Sequence, residues 1–392
     1  MLFDLAYAPT ATTGPTHASL FTSLYPPTHG VIKNGLILED SFLTLAEVLS
    51  GAGYQTAGVV SSFVLKGRFG YAQGFDSYAD DFRVETSTIN TNAWEDHVVQ
   101  GGFDRRAEET TRLAQEWLTE KRNARQPFLL FVHYFDPHSP YVPPPEYLAS
   151  LGEDPSSLTG LERVILDYDA EITYTDAQLG ALLGTLAALG LEDSTIVVVT
   201  SDHGEGLMQH GHLEHGVQIY EEAVRVPLIL RWPGKIRPGS KVASPFPLVD
   251  LSPTLLELAT PELTLNEAQG FSRAAAILGL APWDPVREVL LFRRYYQPQP
   301  GRPEAPRGIQ LGIRSGRWKY IHGLQDGTSE LFDLETDPGE TRNLAAERPE
   351  RRHNLSNRLA HWMRSVQPQE LSDPEAITPE DRRRLEALGY ID

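Results

Sequence analysis

Short runs of apolar residues, separated by longer stretches with helical spacing, constrain the fold of this chain more than any other feature. Four runs are rich in β-branched or aromatic residues and do not alternate with polar positions, as expected for strands buried on both faces. These runs are Thr56–Val60, Phe128–His133, Thr195–Thr200 and Val226–Arg231. Helical spacing of leucine and alanine marks Phe42–Ala52, Arg105–Lys121 and Leu161–Leu189. The alternation predicts a doubly wound α/β fold, with a mixed, mostly parallel sheet and helices on both faces.

The pattern changes near residue 285, where shorter runs alternate with turns. The runs are Val289–Arg293, Gly308–Arg314, Lys319–His322 and Glu330–Leu334. They predict a small antiparallel sheet, and the four prolines of Gln297–Arg307 predict a surface loop between two of its strands. The expected organisation is therefore an α/β domain over 1–285, an antiparallel subdomain over 286–350 and a helical tail over 351–392.

Charge and composition exclude several classes of protein. The formal net charge of −19 argues against nucleic-acid binding, because a phosphate backbone would be repelled. The chain has no cysteine, so thiolate ligands and disulfides are excluded. No run approaches the roughly 20 apolar residues that span a bilayer. The N-terminus does not resemble a signal peptide, so the chain as written is expected in the cytoplasm. An upstream segment would leave a periplasmic or membrane-anchored location open, and no feature indicates an oligomeric state.

A hydroxyl-rich segment, TATTGPTHASLFTSLY over Thr10–Tyr25, is the first candidate for chemistry. It predicts a strand-to-helix turn with a hydroxyl at its top. Backbone N–H groups at a helix start favour an anion, and a metal ion can turn a threonine hydroxyl into a nucleophile. On spacing alone, the alternative is a Thr/Ser-rich turn that only caps the helix.

A second candidate, TSDHGE, follows the Thr195–Thr200 run. It places Asp202 and His203 at the carboxyl end of a strand, where open α/β sheets hold their sites. Asp and His together suit Zn²⁺ or Mn²⁺, and Asp with further oxygen ligands suits Ca²⁺ or Mg²⁺. The alternative is again a helix cap.

Three histidines, His210, His212 and His215, come shortly after this motif. Their spacing does not place them on one helix face, so it predicts a loop. His212 is interpreted as a solvated loop residue. His215 suits a leaving-group acid or a second metal ligand.

These segments resemble the sulfatase family of the alkaline phosphatase superfamily. TGPTHASL, followed by a Tyr-Pro pair, is similar to the sulfatase signature of Cys or Ser, any residue, Pro, any residue, Arg and then Ala-Ser-Leu. The resemblance places Thr13 at the nucleophile position and His17 at the arginine, where His17 is expected to bind the substrate anion. In the family, the Cys or Ser is oxidised to formylglycine. Because threonine does not give that aldehyde, no formylglycine is expected, and Thr13 resembles the unmodified threonine nucleophile of phosphodiesterases in the same superfamily.

The resemblance also implies roles for the other candidates. TSDHGE matches the metal motif of the family, so Asp202, His203 and Thr13 are expected to hold a divalent Zn, Mn or Ca ion. His138 takes the place of an anion-binding histidine at the end of a strand, and His210 resembles a histidine next to the substrate. His215 falls near a substrate-binding lysine of sulfatases, where a catalytic role in leaving-group departure is expected.

Two departures from the family shape the functional prediction. Three cationic sulfate contacts are replaced, by His17, Ser61 and His215, which favours phosphorus esters over sulfate esters. Family members also begin with a strand and an aspartate-bearing loop that complete the metal site. Both are expected to be missing here, with Asp4 as the only nearby carboxylate. The sequence predicts a metal-dependent hydrolase of small anionic sulfate, phosphate or phosphonate esters. The alternative is a catalytically inactive or truncated member with a binding or structural role.

Overall fold

The computed structural model describes residues 1–83, 93–94, 97–98, 102–296 and 307–366. Contacts between residues group them into two units. The first contains Met1–Leu45 and the described residues from Ile196 onward, and the second contains the described residues between Ala46 and Thr195.

The elements lie in chain order as follows. The strands are β1 (Leu2–Tyr7), β2 (Gln55–Val59), β3 (Ser77–Ala79), β4 (Ala93–Trp94), β5 (His97–Val98), β6 (Phe128–Val132), β7 (Val197–Thr200), β8 (Gly206–Leu207), β9 (Leu213–Glu214), β10 (Arg225–Arg231), β11 (Lys241–Val242), β12 (Phe246–Pro247), β13 (Val289–Tyr296), β14 (Gly308–Ser315), β15 (Trp318–Gly323) and β16 (Ser329–Asp333). The helices are α1 (Thr13–Thr22), α2 (Pro26–His29), α3 (Leu45–Gly51), α4 (Ala107–Glu116), α5 (Pro145–Ser150), α6 (Leu161–Ala188), α7 (Glu221–Val224), α8 (Leu251–Ala259), α9 (Ala274–Ile277) and α10 (Pro349–Ser365).

The main sheet of the first unit is mixed, in the order β11-β1-β10-β7, with β12 also paired to β1. β1 is parallel to β11 and β12, but β10 is antiparallel to both of its neighbours. The mixed α/β class is confirmed, whereas the parallel orientation expected for Val226–Arg231 is wrong. Along β10, Leu228 and Leu230 are buried while Ile229 is 41% exposed. This alternation is typical of an antiparallel strand with one covered face. The sequence does not show it, because the buried and the exposed positions are both apolar.

The predicted C-terminal antiparallel sheet is confirmed, with β13, β14, β15 and β16 paired in chain order. Its core face contributes Ile313 and Leu331, and α10 covers them with Leu355 and Leu359, all at most 2% exposed. Burial of this apolar surface is what holds α10 on the sheet.

A buried lysine connects this sheet to the rest of the first unit. Lys319, on β15, is fully buried, and its Nζ lies 2.9 Å from a carboxylate oxygen of Glu340 and 3.1 Å from Oε1 of Glu221. The other oxygen of Glu221 accepts the Tyr7 hydroxyl at 2.8 Å. A buried ammonium group needs such partners to compensate its lost hydration, so β15, α7 and β1 depend on one another.

Asp250 lies directly before helix α8, at a position where an acidic side chain often caps a helix. Its carboxylate makes no cap hydrogen bond to α8. Instead it accepts hydrogen bonds from Arg273 Nε at 3.0 Å, Arg287 at 2.7 Å and the Phe271 N–H at 2.9 Å. Two arginines converge on one fully buried carboxylate, a contact between distant residues that local sequence does not encode.

The second unit contains a parallel sheet in the order β3-β2-β6. The strands predicted at Thr56–Val60 and Phe128–His133 are confirmed with their parallel orientation. The predicted helices correspond to α3, to α4 with a π-helical turn over Trp117–Lys121, and to the 28-residue α6.

The predicted helical tail begins as α10. Its remainder, and most of the loop predicted at Gln297–Arg307, lie outside the described residues. The domain boundaries proposed from the sequence stay a prediction. Among the helices that the structure describes, none is both long enough and apolar enough to cross a membrane.

Candidate active site

Thr13 lies at the first position of α1, just after the turn that follows β1, as the strand-to-helix pattern predicts. The side chain is buried, with 7% of its surface exposed. The residue before it, Thr12, makes no side-chain cap hydrogen bond. Instead the Gly14 N–H donates to Oδ1 of Asn34 at 2.7 Å. A helix start needs such acceptors, because its first N–H groups have no partner within the helix.

His203 faces the hydroxyl of Thr13, with 3.3 Å between Oγ1 and Nε2. The other ring nitrogen, Nδ1, lies 2.8 Å from the Gly204 carbonyl oxygen. Because a carbonyl can only accept, Nδ1 carries the proton of this bond. Burial lowers the pKa of His203, against the opposing effect of Asp202, and so favours the neutral ring. Nε2 therefore presents a lone pair to Thr13, which suits metal coordination.

Asp202 completes a convergent donor set. Its Oδ2 lies 3.5 Å from His203 Nε2 and 3.7 Å from His17 Nδ1. Two ligand atoms that each lie about 2.1 Å from a tetrahedral ion are separated by about 3.4 Å. The separations from Thr13 Oγ1 to His203 and from His203 to Asp202 agree with that value. The carboxylate, the imidazole lone pair and the hydroxyl thus suit a divalent ion in their chemistry, and the two separations measured from His203 Nε2 suit it in spacing.

His17 lies one turn after Thr13 on α1 and is 3% exposed. Its Nδ1 donates to the Thr13 carbonyl at 2.8 Å. Burial lowers the pKa of His17, and the nearby Asp202 only partly offsets this effect. The position that the resemblance aligns with an arginine is therefore occupied by an imidazole whose surroundings favour the neutral ring.

His215 stacks on His203, with 4.0 Å between the ring centres. Its Nδ1 lies 3.1 Å from Oε1 of Glu205. Burial opposes the charged ring, but Glu205 and Asp202 outweigh it and raise the pKa of His215. The β8–β9 hairpin, which pairs Gly206 with Glu214, brings the two residues together. Sequence reasoning missed Glu205, although it belongs to TSDHGE, because nothing in the spacing indicates this contact.

His210 lies with a different group of residues. Among the described residues its hydrogen bonds go to Glu222, at 2.7 Å, and to the Glu340 carbonyl, at 3.3 Å. The ring also stacks on Tyr220, with 3.9 Å between the centres. The structure therefore does not bring His210 into the hydrogen-bond set of Thr13, and its substrate-binding role stays a prediction.

Two further positions from the sequence lie in the second unit. His138 Nδ1 donates to the Ser139 carbonyl at 2.6 Å, and the ring stacks on Phe135. Its anion-binding role stays a prediction. Ser61 is fully buried, and its hydroxyl donates to the His133 carbonyl at 2.7 Å. The hydroxyl of Ser61 therefore makes a buried hydrogen bond within the second unit.

Comparison with known families identifies the chain. The family model described as Sulfatase matches residues 1–261. The chain belongs to the sulfatase family. A second model, described as the C-terminal part of N-sulphoglucosamine sulphohydrolase, matches residues 209–369 of this sulfatase-family chain. It covers the predicted antiparallel sheet and overlaps the first match.

Curated relatives agree with this assignment. An N-acetylglucosamine-6-O-sulfatase of Bacteroides thetaiotaomicron is 24% identical, over 98% of this chain and 83% of that protein. Arylsulfatase K of Rattus norvegicus is 28% identical, over 88% of this chain and 68% of the relative. These similarities and the family match support a hydrolase of sulfuric or phosphoric esters.

Solved structures share the fold of this sulfatase-family chain. One is a complex with its substrate D-glucosamine-2-N,6-O-disulfate, at a TM-score of 0.75 and 23% identity over 95% of this chain and 92% of the other. The phosphonate monoester hydrolase of Agrobacterium radiobacter gives 0.74 and 21%, over 95% and 91%. The alkaline-phosphatase-like fold expected from the sequence is thereby confirmed.

Proposed function

We propose that this chain is a metal-dependent hydrolase of anionic esters in which the hydroxyl of Thr13 is the nucleophile. The observation that carries the proposal is the convergence of Thr13 Oγ1 and Asp202 Oδ2 on Nε2 of His203, at 3.3 and 3.5 Å. Sulfatase-family enzymes are generally metal-dependent, and these three groups would hold the ion. When bound, a divalent ion supplies positive charge that makes the hydroxyl more acidic and the ester more electrophilic.

Thr13 would attack the sulfur or phosphorus atom in line, and the ester oxygen would leave as the new bond forms. Water would then hydrolyse the ester on Thr13 and restore the hydroxyl, so the net reaction consumes one water. Threonine serves here without oxidation, because its secondary alcohol cannot give the formylglycine aldehyde.

His215 would donate a proton to the departing oxygen. Its stacking on His203 holds the ring beside the donor set, and Glu205 fixes its Nδ1. An alcohol leaves more easily when it is protonated as it departs. His17 would hold Thr13 through its carbonyl, to which its Nδ1 proton is donated. A contact with the substrate anion would require a second proton, on Nε2.

The substrate would carry a single negative charge on the group that is transferred. The chain has a net charge of −19, and His17, whose pKa is lowered by burial, stands where the family resemblance has an arginine, so less fixed positive charge offsets a dianion. Phosphonate monoesters, phosphodiesters and sulfate monoesters meet this condition, whereas phosphate monoesters carry two charges. Among these we favour the phosphorus esters.

Matched 4-nitrophenyl substrates test the proposal, because they share one leaving group. Sulfate, phenylphosphonate, phosphodiester and phosphate monoester substrates would be assayed with Zn²⁺, Mn²⁺ or Ca²⁺ after chelation and reloading. We expect the singly charged phosphorus esters to react fastest and the phosphate monoester slowest. Turnover of sulfate alone would contradict the phosphorus preference. A chain that binds no ion and hydrolyses none of the four would instead be an inactive, binding-only member.

A further inference from the structure

We propose that Asn34 is a positioning residue for the nucleophile, through a clamp on the peptide unit between Thr13 and Gly14. Both polar atoms of this unit are held by side chains. The Thr13 carbonyl accepts from Nδ1 of His17 at 2.8 Å, and the Gly14 N–H donates to Oδ1 of Asn34 at 2.7 Å. This inference rests on the proposed role of Thr13.

The clamp replaces the usual local cap of a helix. Side chains of Ser, Thr, Asp or Asn just before a helix ordinarily accept its first N–H groups. Here Thr12 makes no such bond, and the hydroxyl of Thr13 faces His203. Asn34, which lies 20 residues beyond Gly14 and is 6% exposed, supplies the acceptor instead.

Because Asn34 accepts the Gly14 N–H, the peptide between Thr13 and Gly14 is held without using the hydroxyl of Thr13. If Thr13 capped its own helix, Oγ1 would be engaged by an N–H group and would point away from the donor set. With Asn34 as the cap, the orientation of the Thr13–Gly14 peptide is set from outside the helix. A displacement of about 1 Å at a reacting atom can cost about 100-fold in rate, so loss of the clamp would act mainly on kcat.

Two substitutions separate this role from a direct substrate contact. Asn34→Ala removes the acceptor, whereas Asn34→Asp keeps an acceptor oxygen and removes the amide donor. We expect Asn34→Ala to lower kcat about 10- to 100-fold, with KM changed by less than about twofold. Asn34→Asp should recover most of the lost kcat.

Gln269→Ala is the matched control. Gln269 Oε1 accepts the N–H of Tyr25, the residue that precedes α2, also at 2.7 Å and within the first unit. Its loss removes the same kind of bond from a helix start that carries no nucleophile. We expect Gln269→Ala to lower thermal stability by an amount similar to Asn34→Ala and to leave kcat unchanged.

Hydrogen–deuterium exchange of peptides covering residues 13–22 provides a readout that needs no activity. Exchange should be faster in Asn34→Ala than in the wild type or Gln269→Ala, and near wild type in Asn34→Asp. Equal exchange in Asn34→Ala and the wild type would overturn the proposal. So would an Asn34→Asp variant with restored protection but the low kcat of Asn34→Ala, because the amide would then act on the substrate.

Kinetics of Thr13→Ala, added to these measurements, distinguish failure of the proposed function from failure of the proposed role of Asn34. If Thr13→Ala retains wild-type turnover, or if the wild type hydrolyses no ester, the proposed function fails while the exchange comparison still decides whether Asn34 clamps the peptide. If Thr13→Ala is inactive and Asn34→Ala keeps wild-type kcat, the role of Asn34 alone is refuted.

Discussion

Oγ1 of Thr13 lies 3.3 Å from Nε2 of His203, although 190 positions separate the two residues in the chain. One residue begins α1 after β1, and the other follows β7, so the first unit places a helix start beside a strand end. The chemistry expected of the site depends on this juxtaposition.

Thr13→Ala should reduce kcat by at least about 1,000-fold, because no other group replaces the attacking oxygen. Thr13→Ser should retain measurable turnover, since it keeps a hydroxyl at the same place. Steady-state kinetics on the fastest 4-nitrophenyl substrate would measure both. Thr12→Ala is the control, and we expect it to stay within a few-fold of wild type. Equal loss in Thr12→Ala and Thr13→Ala would argue against a specific nucleophile.

Asp202→Asn and His203→Ala should each abolish stoichiometric metal binding. Loss of an outer-shell partner typically weakens metal affinity about 10- to 100-fold, and loss of a ligand should exceed this. Elemental analysis after dialysis against a defined ion concentration would measure the effect. His353→Ala, which removes an exposed histidine on α10, should keep wild-type metal content. Retention of the ion in both ligand variants would place the metal elsewhere.

Gly204→Ala should disturb the same site through the backbone. A Cβ at this position would lie 2.0 Å from the Glu222 carbonyl oxygen, so the segment after His203 must move. We expect a loss of roughly 1–3 kcal/mol in stability together with weaker metal binding. Gly184→Ala provides the contrast, because a Cβ there meets no atom within 4 Å. That change should be neutral or slightly stabilising in helix α6. Chemical denaturation and metal titration would compare the two.

The stability of the second unit should fall as the pH rises from about 6 to about 8. Burial, aided by Asp136, raises the pKa of Glu171 to about 8, and burial raises that of Asp136 to about 6. Between these values the folded chain keeps a proton on Glu171 that the unfolded chain, with an ordinary carboxyl, has released. Folding stability is therefore lost with increasing pH, by up to about 1.4 kcal/mol per pH unit.

Glu171→Gln tests this dependence, because it keeps the oxygen that accepts the Val142 N–H at 2.6 Å and cannot ionise. Urea midpoints at pH 6, 7 and 8 should decline more in the wild type than in Glu171→Gln. Glu153→Gln, which changes an exposed carboxylate, should follow the wild type. Parallel curves for all three proteins would rule out a buried proton on Glu171.

The sequence predicted the parts of the site that have local signatures. The strand-to-helix turn predicted a hydroxyl at a helix start, and the resemblance to sulfatases singled out Thr13 there. The apolar run predicted a strand end at Asp202 and His203, and the resemblance implied their role as ligands. The contacts that support them were not predictable, because they join residues far apart in the chain. Asn34 holds Gly14, and Glu205 meets His215 across a hairpin, yet neither spacing is distinctive.

The orientation of β10 and the ion pairs of Asp250 were also not predictable, because both depend on residues that are distant in the chain. The run Val226–Arg231 reads as a buried parallel strand, and only its pairing with β1 and β7 shows it to be antiparallel. Asp250 precedes a helix and therefore resembles a cap, but a buried carboxylate binds the strongest donors within reach, which here are Arg273 and Arg287.

The ammonium of Lys319 binds the C-terminal sheet to Glu221, a few residues beyond the histidines of the candidate site. If this sheet were exchanged for that of a relative, the carboxylates of Glu221 and Glu340 would lose their buried cation. The relative would have to supply a cation at the position of Lys319. Recombination among members of the family should therefore tolerate crossovers in surface loops, but should require Tyr7, Glu221, Lys319 and Glu340 to be inherited together.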